Sequence, residues 1–131
     1  MKQVLQNLKT GETLLAEVPS PQGKAGHLKI KTSNSLISAG TEGMLVGFGK
    51  SGYFDKARQQ PEKVAQVIDK IGTDGLLATV DTVMSRLDEP QPLGYSNVGI
   101  VVEVGSGVKG YNVGDRVVSN GRHAEIVNVP Y

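Results

Sequence analysis

The chain has 131 residues, room for one domain with a true core but not for two large ones. Its 14 Lys and Arg against 13 Asp and Glu leave a formal charge of +1, so no net field selects nucleic acid or an anionic membrane. It has no Cys, which removes disulfides, thiolate nucleophiles and Cys-ligated zinc or iron–sulfur sites, and its 17 Gly favour a turn-rich β fold.

The first third reads as strands. Gln3 to Leu8 and Thr13 to Val18 flank the polar loop Lys9-Thr10-Gly11-Glu12, which predicts a hairpin. Pro19 to Gly26 breaks regular structure. Leu28, Ile30 and Thr32 then alternate with Lys29 and Lys31, the period of a half-buried strand, and the apolar pattern resumes at Leu36-Ile37. In the middle third the period changes. Val64, Val67, Ile68 and Ile71 mark one helix face, with Pro61 at its start and Gly72 at its end. Leu76, Leu77, Val80, Val83, Met84 and Leu87 mark a second face, with Thr73 or Asp74 expected as its cap. Together they predict a helical hairpin. The last third returns to strands. Val98 to Val104 is nearly all apolar, which predicts cover on both faces; Arg116-Val117-Val118 and Ala124 to Val129 follow.

Several motifs invite a chemical reading. Gly105 to Gly110 spells Gly-x-Gly-x-x-Gly after a strand, but Gly110, Asn112 and Gly114 leave no room for the helix that must receive a pyrophosphate. Gly47-Phe48-Gly49-Lys50-Ser51 lacks the first P-loop glycine, since position 44 is Met44, and is expected to be a flexible loop. His27 and His123 lie far apart in polar surroundings and are expected at the surface. The charges at Asp55, Lys56, Arg58, Glu62 and Lys63 balance, as on a solvated helix face. Glu42, Glu103 and Asp115 are acid–base candidates only if the fold gathers them, and no Ser–His–Asp constellation stands out.

One stretch is more specific. Pro92-Leu93-Gly94-Tyr95-Ser96-Asn97-Val98-Gly99-Ile100-Val101-Val102-Glu103-Val104-Gly105, followed by Val113-Gly114-Asp115-Arg116-Val117, resembles the medium-chain dehydrogenase/reductase superfamily, in particular the GroES-like catalytic domain of zinc-type alcohol dehydrogenases. Pro21 to Ile30 is similar to the family's early turn and strand, Ser38-Ala39-Gly40-Thr41-Glu42 to its first active-site loop, and Gly121 to Val127 to a segment that usually reads Gly-Gly-aromatic-Ala-Glu. The resemblance implies a mainly β fold over residues 1–131: an irregular, partly open GroES-like barrel with an α-helical hairpin inserted at about 55–88.

The departures shape the functional expectation. Where the zinc-type pattern has Cys in the first loop this chain has Ala39, and where it has His-Glu this chain has Tyr95-Ser96. The Cys-rich lobe for structural zinc is missing as well. No metal is therefore expected. The resemblance assigns substrate or proton contacts to the hydroxyls of Thr41 and Tyr95 as catalytic groups, with Glu42 and Ser96 as substrate-binding residues. It implies a carbonyl or alcohol substrate. It places NAD(P) on a C-terminal Rossmann domain that these residues lack, so this chain itself holds no cofactor. The expectation is the substrate-binding domain of a zinc-lacking, NAD(P)-dependent oxidoreductase, a piece of a longer cytoplasmic enzyme that is inactive alone. The alternative is a stand-alone GroES-like interaction module that docks through its helical hairpin. Neither reading involves nucleic acid or a membrane.

Overall fold

A computed structural model describes all residues, 1–131. Met1–Leu5, Leu14–Glu42 and Pro92–Tyr131 form one compact unit; Gln6–Thr13 and Gly43–Gln91 form a second.

The first unit is built on strands. β3 (His27–Ser35) follows the predicted alternation, with Leu28 and Ile30 turned inward. It lies at the middle of a four-stranded antiparallel sheet with β5 (Asn97–Val104), β6 (Arg116–Ser119) and β7 (Ile126–Pro130), in the order β6-β5-β3-β7. Register places Ile30 opposite Val101 on one side and Val127 on the other, and Leu28 opposite Val129. Leu28, Ile30, Val101, Ala124, Val127 and Val129 form the core. Each buried branched side chain contributes roughly 1.5–3 kcal/mol. A second sheet has the order β2-β1-β4, from β1 (Lys2–Gln6), β2 (Thr13–Glu17) and β4 (Gln91–Pro92). Neither sheet closes on itself, in keeping with the open, irregular β architecture expected. The β1–β2 hairpin forms as predicted, although β1 stops at Gln6. There the Asn7 side chain accepts the N–H groups of Lys9 and Thr10 at 2.8 and 2.9 Å and turns the chain.

Two strand readings change. β3 ends at Ser35, and Leu36 and Ile37 are exposed rather than a resumed strand. β5 is covered on both faces only through Val101, since Val102 and Glu103 face solvent.

The second unit is mainly helical, with α2 (Tyr53–Gln59), α3 (Pro61–Asp74), α4 (Leu76–Asp88) and all of α1 (Thr41–Lys50) but Thr41 and Glu42, which belong to the first unit. The α3–α4 hairpin was legible in the sequence, and Pro61 does open α3. Its break is misplaced, however. α3 runs through Gly72 to Asp74, and the chain turns at Gly75, whose φ of +88° is a left-handed conformation that L side chains resist. Gly75, not Thr73 or Asp74, therefore precedes α4, and no side chain caps that helix. α1 absorbs the segment expected to be a flexible loop, Gly47 to Lys50. Glycine's low helix propensity hid it, a bias that tertiary context routinely overrides. Lys56 also departs from expectation. It is buried, with its ammonium 5.9 Å from the Phe48 ring centroid and 5.4 Å from that of Tyr53. The rings attract a cation by their quadrupoles.

Candidate functional site

The first unit gathers chemistry at the junction between the end of β3 and the start of α1. The loop 36–40 is shaped by local hydrogen bonds. The Ser38 N–H donates to Glu42 Oε1 at 2.9 Å, the Glu42 N–H donates to the Ser38 carbonyl at 3.0 Å, and the Ser38 hydroxyl oxygen accepts the Thr41 N–H at 3.4 Å. This reciprocal pattern satisfies donors that a helix start leaves free, and a carboxylate suits the positive end of the helix dipole.

Glu42 faces inward and is 5% exposed. Its second oxygen, Oε2, lies 2.7 Å from Nε2 of His123, which is 8% exposed. The other ring nitrogen, Nδ1, lies 2.7 Å from Oγ of Ser35, the last residue of β3. A carboxylate, an imidazole and a hydroxyl thus stand in one line of contacts. Burial pushes the Glu42 carboxyl toward its neutral form. The Ser38 N–H and the hydrogen bond and charge of His123 together outweigh burial and hold its pKa below the ordinary 4.5.

The imidazole is held by its own backbone and by a missing side chain. The His123 N–H donates to the Leu93 carbonyl at 2.9 Å, and its carbonyl accepts the Val4 N–H at 2.9 Å. Gly94, at φ +92°, lies against it. A Cβ there would sit 2.5 Å from the His123 nitrogen and 2.7 Å from the ring carbon Cγ. The glycine before Tyr95 is therefore the space that the ring needs.

Tyr95 projects from the next position and is 46% exposed. The Ser38 hydroxyl and, after it, the Thr41 hydroxyl stabilise its phenolate. They hold its pKa below the usual 10.0 against the opposing effects of burial and the Glu42 charge.

Of the residues expected at the site, Thr41 and Tyr95 both lie in the first unit, and the Ser38 and Thr41 hydroxyls act on the Tyr95 phenol. Glu42 is adjacent, but its two oxygens are engaged by Ser38 and His123, so it orients its neighbours instead of meeting a ligand. Ser96 contributes its carbonyl, which accepts the Leu36 N–H at 3.0 Å. Glu103 and Asp115 do not join Glu42. Glu103 stands 3.7 Å from the Lys29 ammonium, and Asp115 accepts the Asn112 N–H at 2.7 Å. His123 was expected at the surface and is buried. Ser35 was not singled out at all. The available signal was the imidazole at the aromatic position of the segment that usually reads Gly-Gly-aromatic-Ala-Glu. A polar ring in a buried slot must find partners.

Comparison with known families bears on this fold. Residues 64–128 match the alcohol dehydrogenase GroES-like domain. The chain carries a GroES-like domain of the alcohol dehydrogenase type. The matched stretch includes Gly94, Tyr95 and His123 and begins within α3. No curated protein matches the chain.

The two groups that such a domain brings to mind can be tested against the residues present. A zinc ion needs several His, Cys, Asp or Glu donors converging, and no group of three such side chains does so. Ala39 offers a methyl group, and the oxygens of Glu42 and the ring nitrogens of His123 are engaged with each other, Ser38 and Ser35. These residues do not fit a zinc ion. A dinucleotide needs a helix after its glycine turn. Gly105 to Gly114 is instead a run of turns leading directly into β6, so this segment does not fit a dinucleotide either.

Proposed function

We propose that this GroES-like domain is the substrate-binding part of a zinc-lacking, NAD(P)-dependent alcohol dehydrogenase-like oxidoreductase that acts on a small carbonyl or alcohol. The observation that carries the reading is the Tyr95 phenol. It stands where the zinc-type pattern has a metal ligand, half-exposed, with two hydroxyls tuning it toward proton release. A carbonyl oxygen at this position would accept a hydrogen bond from Tyr95, and the proton would follow as negative charge grows on that oxygen. Ser38 and Thr41 stabilise the phenolate left behind. A reduced nicotinamide bound by a Rossmann domain would supply the hydride in the alcohol-forming direction; the residues of this chain would bind and orient the carbonyl and give it a proton.

The test pairs this domain with the Rossmann domain that serves it and follows NAD(P)H oxidation over a panel of small aldehydes and ketones. Tyr95→Phe is expected to lower kcat by roughly 100-fold with little change in KM, as loss of a general acid does. An unchanged kcat would remove Tyr95 from the chemistry. One zinc per chain surviving chelation would overturn the metal-free reading.

A second reading, a docking module, is favoured by α3, which buries no residue, and by Leu77 on α4, which is 85% exposed. It predicts that Leu77→Asp abolishes a protein complex, as judged by size-exclusion chromatography with light scattering.

A further inference from the structure

The Glu42–His123–Ser35 line is not part of the proton donor at Tyr95, yet both ring nitrogens of its imidazole are partnered. We propose that it makes the Ser35 hydroxyl a nucleophile toward activated acyl groups, such as aryl esters or thioesters.

Three features carry this. The contacts are short at both ends of the imidazole, 2.7 Å to Glu42 and 2.7 Å to Ser35. The carboxylate and imidazole are buried, whereas Ser35 is exposed at the end of its strand, so an electrophile meets the hydroxyl. The carboxylate also settles the tautomer. An ionised Glu42 holds the proton on Nε2, which leaves Nδ1 free to accept the Ser35 proton. The depressed pKa of Glu42 keeps it in that ionised form. A serine hydroxyl alone is a weak nucleophile, and an adjacent base oriented by a third group is what activates it. The other serine hydroxyls with defined partners do not meet an imidazole. Ser51 donates to the Phe48 carbonyl, and Ser119 accepts the Gly121 N–H.

The chemistry balances without a further reagent. Ser35 Oγ forms a bond to the acyl carbon as the bond to the thiolate or phenolate breaks. The Oγ proton passes to His123 Nδ1 and then to the leaving group. Water, deprotonated by the same imidazole, then releases the carboxylic acid and restores the serine.

p-Nitrophenyl acetate is the probe. The expected result is a burst of p-nitrophenolate followed by slow turnover, with the acetyl group located on Ser35 by fragment mass spectrometry. Ser35→Ala should abolish the burst, Ser33→Ala should retain it, and His123→Gln should slow it by roughly 100-fold. Ser35 is a surface residue, so Ser35→Ala keeps the test valid even if the His123 variant unfolds. Acetylation elsewhere, or a burst that survives in Ser35→Ala, would overturn the proposal. The assay contains no nicotinamide, so its outcome is independent of the oxidoreductase reading.

Discussion

At the scale of single residues, the buried carboxylate of Glu42 makes a pH-dependent contribution whose sign follows from its contacts. Its folded pKa lies below the unfolded value of about 4.5, so the folded state favours the ionised form. The stabilisation is complete above pH 4.5 and is lost as pH falls through the folded pKa. Urea unfolding across an acid pH series should therefore show wild type losing stability relative to Glu42→Gln as pH falls below 4.5. Gly94 supplies a second prediction. Gly94→Ala must place a Cβ 2.5 Å from the His123 nitrogen while holding φ at +92°. The backbone strain alone costs about 1–3 kcal/mol and the collision adds to it. A fall in the unfolding midpoint, with loss of the His123 side-chain environment in NMR spectra, is the expected outcome.

At the scale of elements, the α3–α4 hairpin shows how far apolar spacing reaches. The spacing located both helices, because i, i+3, i+4 repetition depends on side chains that lie one above another. The break escaped it, because Gly72 and Gly75 are chemically alike and only the backbone tells them apart. Gly72 is helical with open space around it, whereas Gly75 has φ +88°. Gly72→Ala should therefore raise stability by about 0.5–1 kcal/mol, and Gly75→Ala should lower it by roughly 1–2 kcal/mol. Thermal unfolding of the two variants checks the location of the turn. α1 carries Gly43, Gly47 and Gly49, a composition that points away from helix, and it was unreadable from propensity for that reason. Its first turn is nevertheless the element that delivers Glu42 and Thr41.

At the scale of the whole molecule, burial is uneven. β3 and β5 carry Leu28, Ile30 and Val101, each at most 3% exposed, whereas α3 buries nothing and α4 buries only Thr79. Backbone opening is least costly where few apolar contacts must be broken. Hydrogen exchange should accordingly find the slowest amides in β3 and β5 and exchange at least about 100-fold faster across α3. Protection in α3 equal to that of β3 would show that the helix has a covering partner in solution.

The sequence alone determined the β framework and the hairpin of helices, which follow from periodicity and turn spacing, local properties of the chain. The alcohol dehydrogenase-like domain type came from the resemblance of its motifs to a known family. Only the tertiary structure joined Ser35, Glu42 and His123, which are separated by 7 and 81 residues in the chain. No local pattern encodes that contact. It arises because β3 runs beside β5 and β7, the Ser38 turn starts a helix inward, and Gly94 leaves the room that an imidazole fills.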